Sequence, residues 1–244
     1  MRSPIFGLLA SAAVFGLPSM PAHAGSFSIS PIRLDLSAGA KTAALTVRND
    51  AQEVLVQAEM MLWEQVDGED RLTPTRDLLV SPAVFTLPPN GSQLVRVALR
   101  HVPADVTREL AYRLILQEVP QPANPDAAGL RVTLRLSVPV FVATAGATGP
   151  DLAWSAAAPG KELVLTAQNS GDVHARIHGF SIATAAGTGA PLAQPVATYI
   201  LPGQSHSWRL GQTEGNTAND WRHLRLKVTT DDGESEIELD TSGE

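Results

Sequence analysis

His174 and His178 stand four residues apart, the spacing at which two imidazoles on one helix can share a zinc ion. The segment around them alternates like a strand, where four residues span about 13 Å, so one ion cannot bridge the pair. They read as two polar positions near a strand edge. Ser205-His206-Ser207 sets a hydroxyl beside an imidazole, the elements of a nucleophile and its base. Adjacent strand residues point to opposite faces, however, and no G-x-S-x-G elbow surrounds them. Asp70, Asp77, Asp105, Asp231, Asp232 and Glu234 fall in hydrophilic stretches that read as loops, where acidic side chains serve turns. No glycine-rich phosphate loop appears, and with no cysteine in the chain neither a thiol nucleophile nor a disulfide is available. Enzyme is therefore the weaker class, and no catalytic residue, metal or cofactor is expected.

Two arginines are placed for a different chemistry. In FSISPIRLDL the apolar parity switches, from Phe27 and Ile29 to Ile32, Leu34 and Leu36, so Ser30-Pro31 should be a kink or bulge and Arg33 should face away from the core. In AYRLILQEVP, Arg113 is flanked by Tyr112, Leu114, Ile115 and Leu116, which would partly shield its guanidinium from water. A shielded guanidinium needs a carboxylate or several carbonyls. Ordinary ion pairs would serve: Arg33 with Asp35, and Arg113 with Glu109 or Glu118. The alternative is a two-arginine clamp for a chain-terminal carboxylate, which suits planar bidentate geometry.

The third feature is LRVTLRLSVPVFV, where Leu130, Val132, Leu134, Leu136, Val138 and Val140 take every second position. A sandwich strand needs only three or four inward positions to fill its own core. One explanation buries one end in the strand's own domain and the other against a second domain. The other lends part of the row to a partner by β-augmentation, with backbone hydrogen bonds giving affinity and alternate side chains filling pockets. Pro139 lacks an N–H and should mark an edge or the end of pairing.

These residues need a scaffold, and the chain supplies one. Of its 244 residues 44% are hydrophobic, as in a globular protein. Alternation punctuated by proline and glycine clusters reads as short antiparallel strands throughout. Seven are expected in the first half: Phe27 to Leu36, Ala43 to Asn49, Val54 to Glu64, Ala83 to Leu87, Gln93 to Leu99, Ala111 to Val119 and Leu130 to Val142. Seven more run from Leu152 to Leu239. Seven is the count of an immunoglobulin-like sandwich, so the fold class is all-β with two such domains, 25–143 and 151–244, joined by a linker at 144–150. An internal echo supports the division: LTVRN (Leu45 to Asn49) recurs as LTAQN (Leu165 to Asn169), and LPPNGSQLVRV (Leu87 to Val97) is echoed by LPGQSHSWRL (Leu201 to Leu210).

The N-terminus carries Arg2, an apolar run from Ile5 to Leu17 and the small-x-small site Ala22-His23-Ala24, the order of a secretory signal peptide over residues 1–24. No later run is long and apolar enough for a spanning helix, so no membrane insertion is expected, and the bacterial periplasm is the expected compartment. A formal charge of −7 argues against nucleic-acid binding.

The opening S-P-I-R-L, the segment LTPTRDLLVSPAVFTLPPNGSQLVRVAL, the AYRLILQEVP strand and the closing LRVTLRLSVPVFV together resemble the periplasmic pilus chaperones of the PapD-like type. The resemblance covers nearly all of the first half. Over the second half it consists of length, strand pattern and position. It implies two sandwich domains at an angle with a cleft between them, binding pilus or fimbrial subunits that lack their last strand. By donor-strand complementation the chaperone completes the subunit, and an outer-membrane usher then receives it, with no nucleotide required. Carried over by position, Leu130, Val132, Leu134 and Leu136 would be the donor residues, and Arg33 would hold the subunit's C-terminal carboxylate.

The sequence departs from the family in two places. Better-known members carry a lysine on the closing strand as the second carboxylate anchor, and here that position is Pro139. Arg113 is the expected substitute, with Arg135 in reserve, and the Tyr-Arg-Leu and Val-Pro-Val-Phe pairing looks like the branch serving archaic, spore-coat-like fimbriae. The family's interdomain salt bridge would use Glu109, but its basic partner position reads Ala143, so that network is expected to be absent or rebuilt. A free edge would also favour self-association when no subunit is bound. The rival classes are a structural or adhesive β-sandwich component of a surface fibre and a periplasmic hydrolase. Only 5% of residues are aromatic, which argues against stacking on sugars.

Overall fold

The computed structural model of the chain describes residues 27–101, 106–120, 132–159, 162–184, 191–211 and 221–242. The expected signal peptide, Asp105 and Leu130 lie outside them. All regular structure among the described residues is β-strand. The first half contributes β1 (Phe27–Ser30), β2 (Leu34–Ser37), β3 (Thr42–Asn49), β4 (Val54–Val66), β5 (Glu69–Pro74), β6 (Leu78–Ser81), β7 (Val84–Leu87), β8 (Ser92–Leu99), β9 (Leu110–Glu118) and β10 (Arg135–Ala143). They form a four-stranded sheet, β1-β3-β8-β6, and a six-stranded one, β2-β10-β9-β4-β5, with β7 also on β4. The second half contributes β11 (Leu152–Ala157), β12 (Leu163–Asn169), β13 (Ala175–Thr184), β14 (Leu192–Ile200), β15 (Ser205–Leu210), β16 (His223–Thr230) and β17 (Gly233–Ser242), paired in the order β14-β13-β16-β17-β11-β12-β15.

Alternation decides which residues meet. Leu45, Val47, Val95 and Val97 of one sheet face Leu114, Leu116, Val138 and Val140 of the other, all buried in one cluster. A separate cluster built on Leu163, Leu165, Ile177, Trp208 and Leu226 fills the second half. The chain thus folds around two cores, each closed by the period-two pattern of its own strands.

The parity switch at Ser30-Pro31 is a change of sheet. β1 pairs with β3, whereas β2 pairs in parallel with β10, so Ile29 and Leu34 reach the same core from opposite layers. The hairpin β4–β5 was not expected, because EDRLTP carries one apolar residue. Its signal was nonetheless present: Asp67-Gly68 forms a two-residue loop with φ of 53° and 80°, the geometry that Asp-Gly favours. Asp70 therefore lies on a strand rather than in a loop, and so does Glu234 of β17. In the second half β14 begins at Leu192, and Pro195 is accommodated because β14 is an edge strand.

The two halves share one corner device. Asn49 and Asn169, the last residues of the echoed LTVRN and LTAQN, are 1% and 0% exposed. Asn49 donates its amide to the carbonyls of Gln52, Leu87 and Pro88 and accepts from the backbone of Ala51. Asn169 donates to Val173 and Ile200 and accepts from Asp151 and Gly171. In each half a buried amide ties the strand end to the chain at its Leu-Pro pair, through Leu87 and Pro88 in one and through Ile200, just before Leu201-Pro202, in the other, which matches an internal duplication.

Candidate functional site

The site begins with the face of β9 turned away from its own core. Tyr112, Leu114 and Leu116 point inward, so Ala111, Arg113 and Ile115 point outward. Cross-strand register sets Arg113 directly opposite Pro139 on β10 and opposite Met61 on β4, while Ala111 lies opposite Phe141. Trp63, Ala111 and Phe141 are buried on this face by Leu201 of the second half, with Leu72 and Tyr199 at the margin. The face is therefore an interface between the two halves.

Arg113 is held over aromatic surface. Its guanidinium carbon lies 3.6 Å from the centroid of Trp63 and 5.6 Å from that of Tyr199. Its nearest carboxylate is Asp70 at 3.9 Å, an ion pair beyond hydrogen-bond length, and only 15% of its side chain is exposed. Burial lowers its pKa from the ordinary arginine value, with Asp70 opposing, but an arginine so placed is still a cation near neutral pH. The expected partners Glu109 and Glu118 are not used. Glu109 shares the face but stands four strand residues away, and Glu118 has the opposite parity and accepts from the backbone of Leu134.

Arg33 does pair with Asp35, at 3.2 Å, and also reaches across to Asp231 of the β16–β17 turn at 2.8 Å. Asp231 accepts in addition from His178 at 2.6 Å. Burial works against the charge of Arg33, but Asp35 and Asp231 outweigh it and hold its pKa above the ordinary value. Burial likewise would raise Asp231, but the hydrogen bonds from His178 and Arg33 hold its carboxyl below the usual range.

The two histidines have separate partners. His174 bonds Glu109 through both its backbone N–H, at 2.9 Å, and its ring Nδ1, and the ring stacks on Phe141 with centroids 3.6 Å apart. With side chains 9% and 6% exposed, His174 and Glu109 form a buried link between the halves, so of the two histidines only His178, with 40% of its side chain exposed, stands as a solvent-facing polar position. This is the rebuilt form of the network that Ala143 had put in doubt. Gln65 is a further cross-link that the sequence did not single out. Its amide donates to the Tyr199 carbonyl and to Asp70, and its oxygen accepts from the backbone of Leu201.

Strand β10 borders this face with an open edge. It pairs with β9 from Arg135 to Val142, whereas β2 covers only Val140 to Ala143. The ladder bond from Glu118 to Leu134 assigns the even residues of β10 to β9, so Arg135, Ser137 and Pro139 turn their backbone groups outward. Pro139 thus loses no ladder bond and stands where β2 pairing begins, as its missing N–H had implied. Among the described residues no strand covers this edge. Val138, Val140 and Val142 are buried in the core, Leu136 packs partly against it, Leu134 is half-buried and Val132, ahead of the strand, is 58% exposed.

Known proteins share this architecture. The chain aligns with a structure of the CsuC–CsuE chaperone–tip adhesion subunit pre-assembly complex from the archaic chaperone–usher Csu pili of Acinetobacter baumannii at 20% identity, covering 89% of this chain and 99% of that one, with a TM-score of 0.65. It aligns with Salmonella enterica SafA pilin in complex with the SafB chaperone at 20% identity, 90% and 98% coverage and a TM-score of 0.61. For the Pseudomonas aeruginosa CupB2 chaperone the values are 20%, 86%, 98% and 0.56. No curated protein matches the sequence significantly. Residues 26–147 match the sequence profile described as pili and flagellar-assembly chaperone, PapD N-terminal domain, and the chain belongs to that family of chaperones.

Proposed function

We propose that this chaperone works in the periplasm by lending β10 to pilus or fimbrial subunits and passing them to an outer-membrane usher, with no enzymatic step and no cofactor. The observation that carries the reading is the one-sided pairing of β10. The outward N–H and C=O groups of Arg135 and Ser137 offer a subunit a template for β-augmentation, beside aliphatic side chains that its own core only partly covers. Val132 and Leu134 have most left to bury, at about 1.5 to 3 kcal/mol for a fully buried aliphatic side chain. Leu136 contributes less, because it already packs against the core. Leu130 completes the donor row on this reading.

The carboxylate at the end of the subunit would enter beside Arg33 and Arg113. Pro139 stands where a lysine is usual in the family, and its direct cross-strand neighbour is Arg113. That register supports Arg113 as the second anchor over Arg135, which is exposed on β10. The replacement favours the archaic branch. The working units on this reading are 25–143 and 151–244, after removal of residues 1–24 and with 144–150 as the linker.

The test is co-expression with a fimbrial subunit encoded beside this gene. Subunit recovery should collapse when the chaperone is omitted, and unchanged recovery refutes the reading. Arg33→Ala and Arg113→Ala should each abolish complex formation in a folded chaperone, and normal binding by both removes those anchors.

A further inference from the structure

Two arginines face the ring of Tyr199, Arg113 from the first half and Arg176 from β13 of the second, and with the more distant charge of Arg33 they oppose the burial that raises its pKa. Their compensation is unequal. Arg33 is bonded to both Asp35 and Asp231, and Asp231 is shared with His178. Arg113 has Asp70 at 3.9 Å. Among the described residues Arg176 has no carboxylate within ion-pair distance. Its Nε is shielded from solvent with no hydrogen-bond partner, and its guanidinium carbon stands 5.3 Å from the Tyr199 centroid. A second shielded donor, the indole N–H of Trp63, is also without an acceptor beside the same ring.

A shielded donor on a charged group normally has a partner, because leaving it unmet costs more than the bond itself is worth. Here the unmet donors and the two least compensated guanidiniums surround one ring, and they come from both halves of the molecule. What would satisfy them is an anion with two acceptor oxygens.

We infer that Arg176 is a carboxylate-binding residue of this site, so that an incoming carboxylate is held across the domain boundary by Arg113 from one half and Arg176 from the other. This rests on the reading of the interface as a carboxylate site. It adds a residue from the second half, so ligand binding also cross-links the two halves. Gln65 and Tyr199 already join them by a neutral hydrogen bond at the same place.

The probes are a short peptide of alternating valine and threonine with a free C-terminal carboxylate and the same peptide as its C-terminal amide, titrated by calorimetry into the mature chaperone. Wild type should prefer the acid by about tenfold or more. Arg176→Gln should lose most of that preference while keeping its affinity for the amide, which reports an intact β10 edge, and Arg176→Lys should recover part of it. Should Arg176→Gln keep the full preference while Arg113→Gln loses it, the inference is overturned and the carboxylate reading stands. A wild type that does not distinguish acid from amide overturns both. Equal loss of both affinities in Arg176→Gln gives Arg176 a structural role and also overturns the inference.

Discussion

The carboxylate of Glu109 closes on His174 across the domain boundary, taking the backbone N–H at 2.9 Å and the ring Nδ1, while Phe141 stacks on the imidazole. Both side chains are more than nine-tenths buried, so neither water nor another side chain can replace the acceptor cheaply. Glu109→Ala should lower stability by about 1 to 3 kcal/mol, read as a shift of the urea midpoint. Glu109→Gln keeps a carbonyl for the backbone N–H and should lose less. Equal effects of the two variants would show that the side-chain acceptor contributes nothing.

The Arg33–Asp231–His178 link should be acid-sensitive. The carboxyl of Asp231 is held below its ordinary range in the folded protein, so its contribution is fully present above the unfolded value of about 4. It is lost as the pH falls through the lower folded value. Wild type should therefore exceed Asp231→Asn in urea stability at pH 6, and the gap should close as the pH falls below about 4. A gap that widens on acidification contradicts this assignment.

Asn49→Ala and Asn169→Ala should have matching effects, because each leaves buried carbonyls and N–H groups without partners at the same corner of its own half. A loss of about 2 to 4 kcal/mol is expected for each, confined to the half that carries the change. Limited proteolysis followed by mass spectrometry would locate which half opens. A cleavage pattern shared by the two variants would argue against independent corners.

Leu134→Glu and Val138→Ala separate the lent part of the alternating segment from the retained part. Leu134 is half-buried beside the open edge, so its replacement should weaken subunit binding at least tenfold while changing stability by less than about 1 kcal/mol. Val138 is 0% exposed, and its truncation should lower stability by about 2 kcal/mol with little effect on affinity per folded molecule. Thermal melts beside pull-down titrations give both readouts, and a large stability loss in Leu134→Glu would assign the residue to the chaperone's own core.

The sequence by itself determined most of the strands and their faces, because side-chain alternation is a local property, although the short β6 was not expected and β10 begins at Arg135 rather than Leu130. The burial of Val138 and Val140, the parity switch at Ser30-Pro31 and the missing donor at Pro139 follow from residues within one segment, whereas the pairing of β1 with β3 and of β2 with β10 made that switch a change of sheet rather than a bulge. The β4–β5 hairpin escaped notice, since its second strand buries almost nothing and only Asp67-Gly68 marks it. The partners of the charged groups were decided by tertiary structure. Glu109 meets His174, Arg33 meets Asp231 and Arg113 reaches the Tyr199 ring, where Arg176 already stands as its cross-strand neighbour, across large sequence separations. No local period records how two separately cored halves are set against each other. Only their packing through Trp63, Phe141, Tyr199 and Leu201 brings those charges into range.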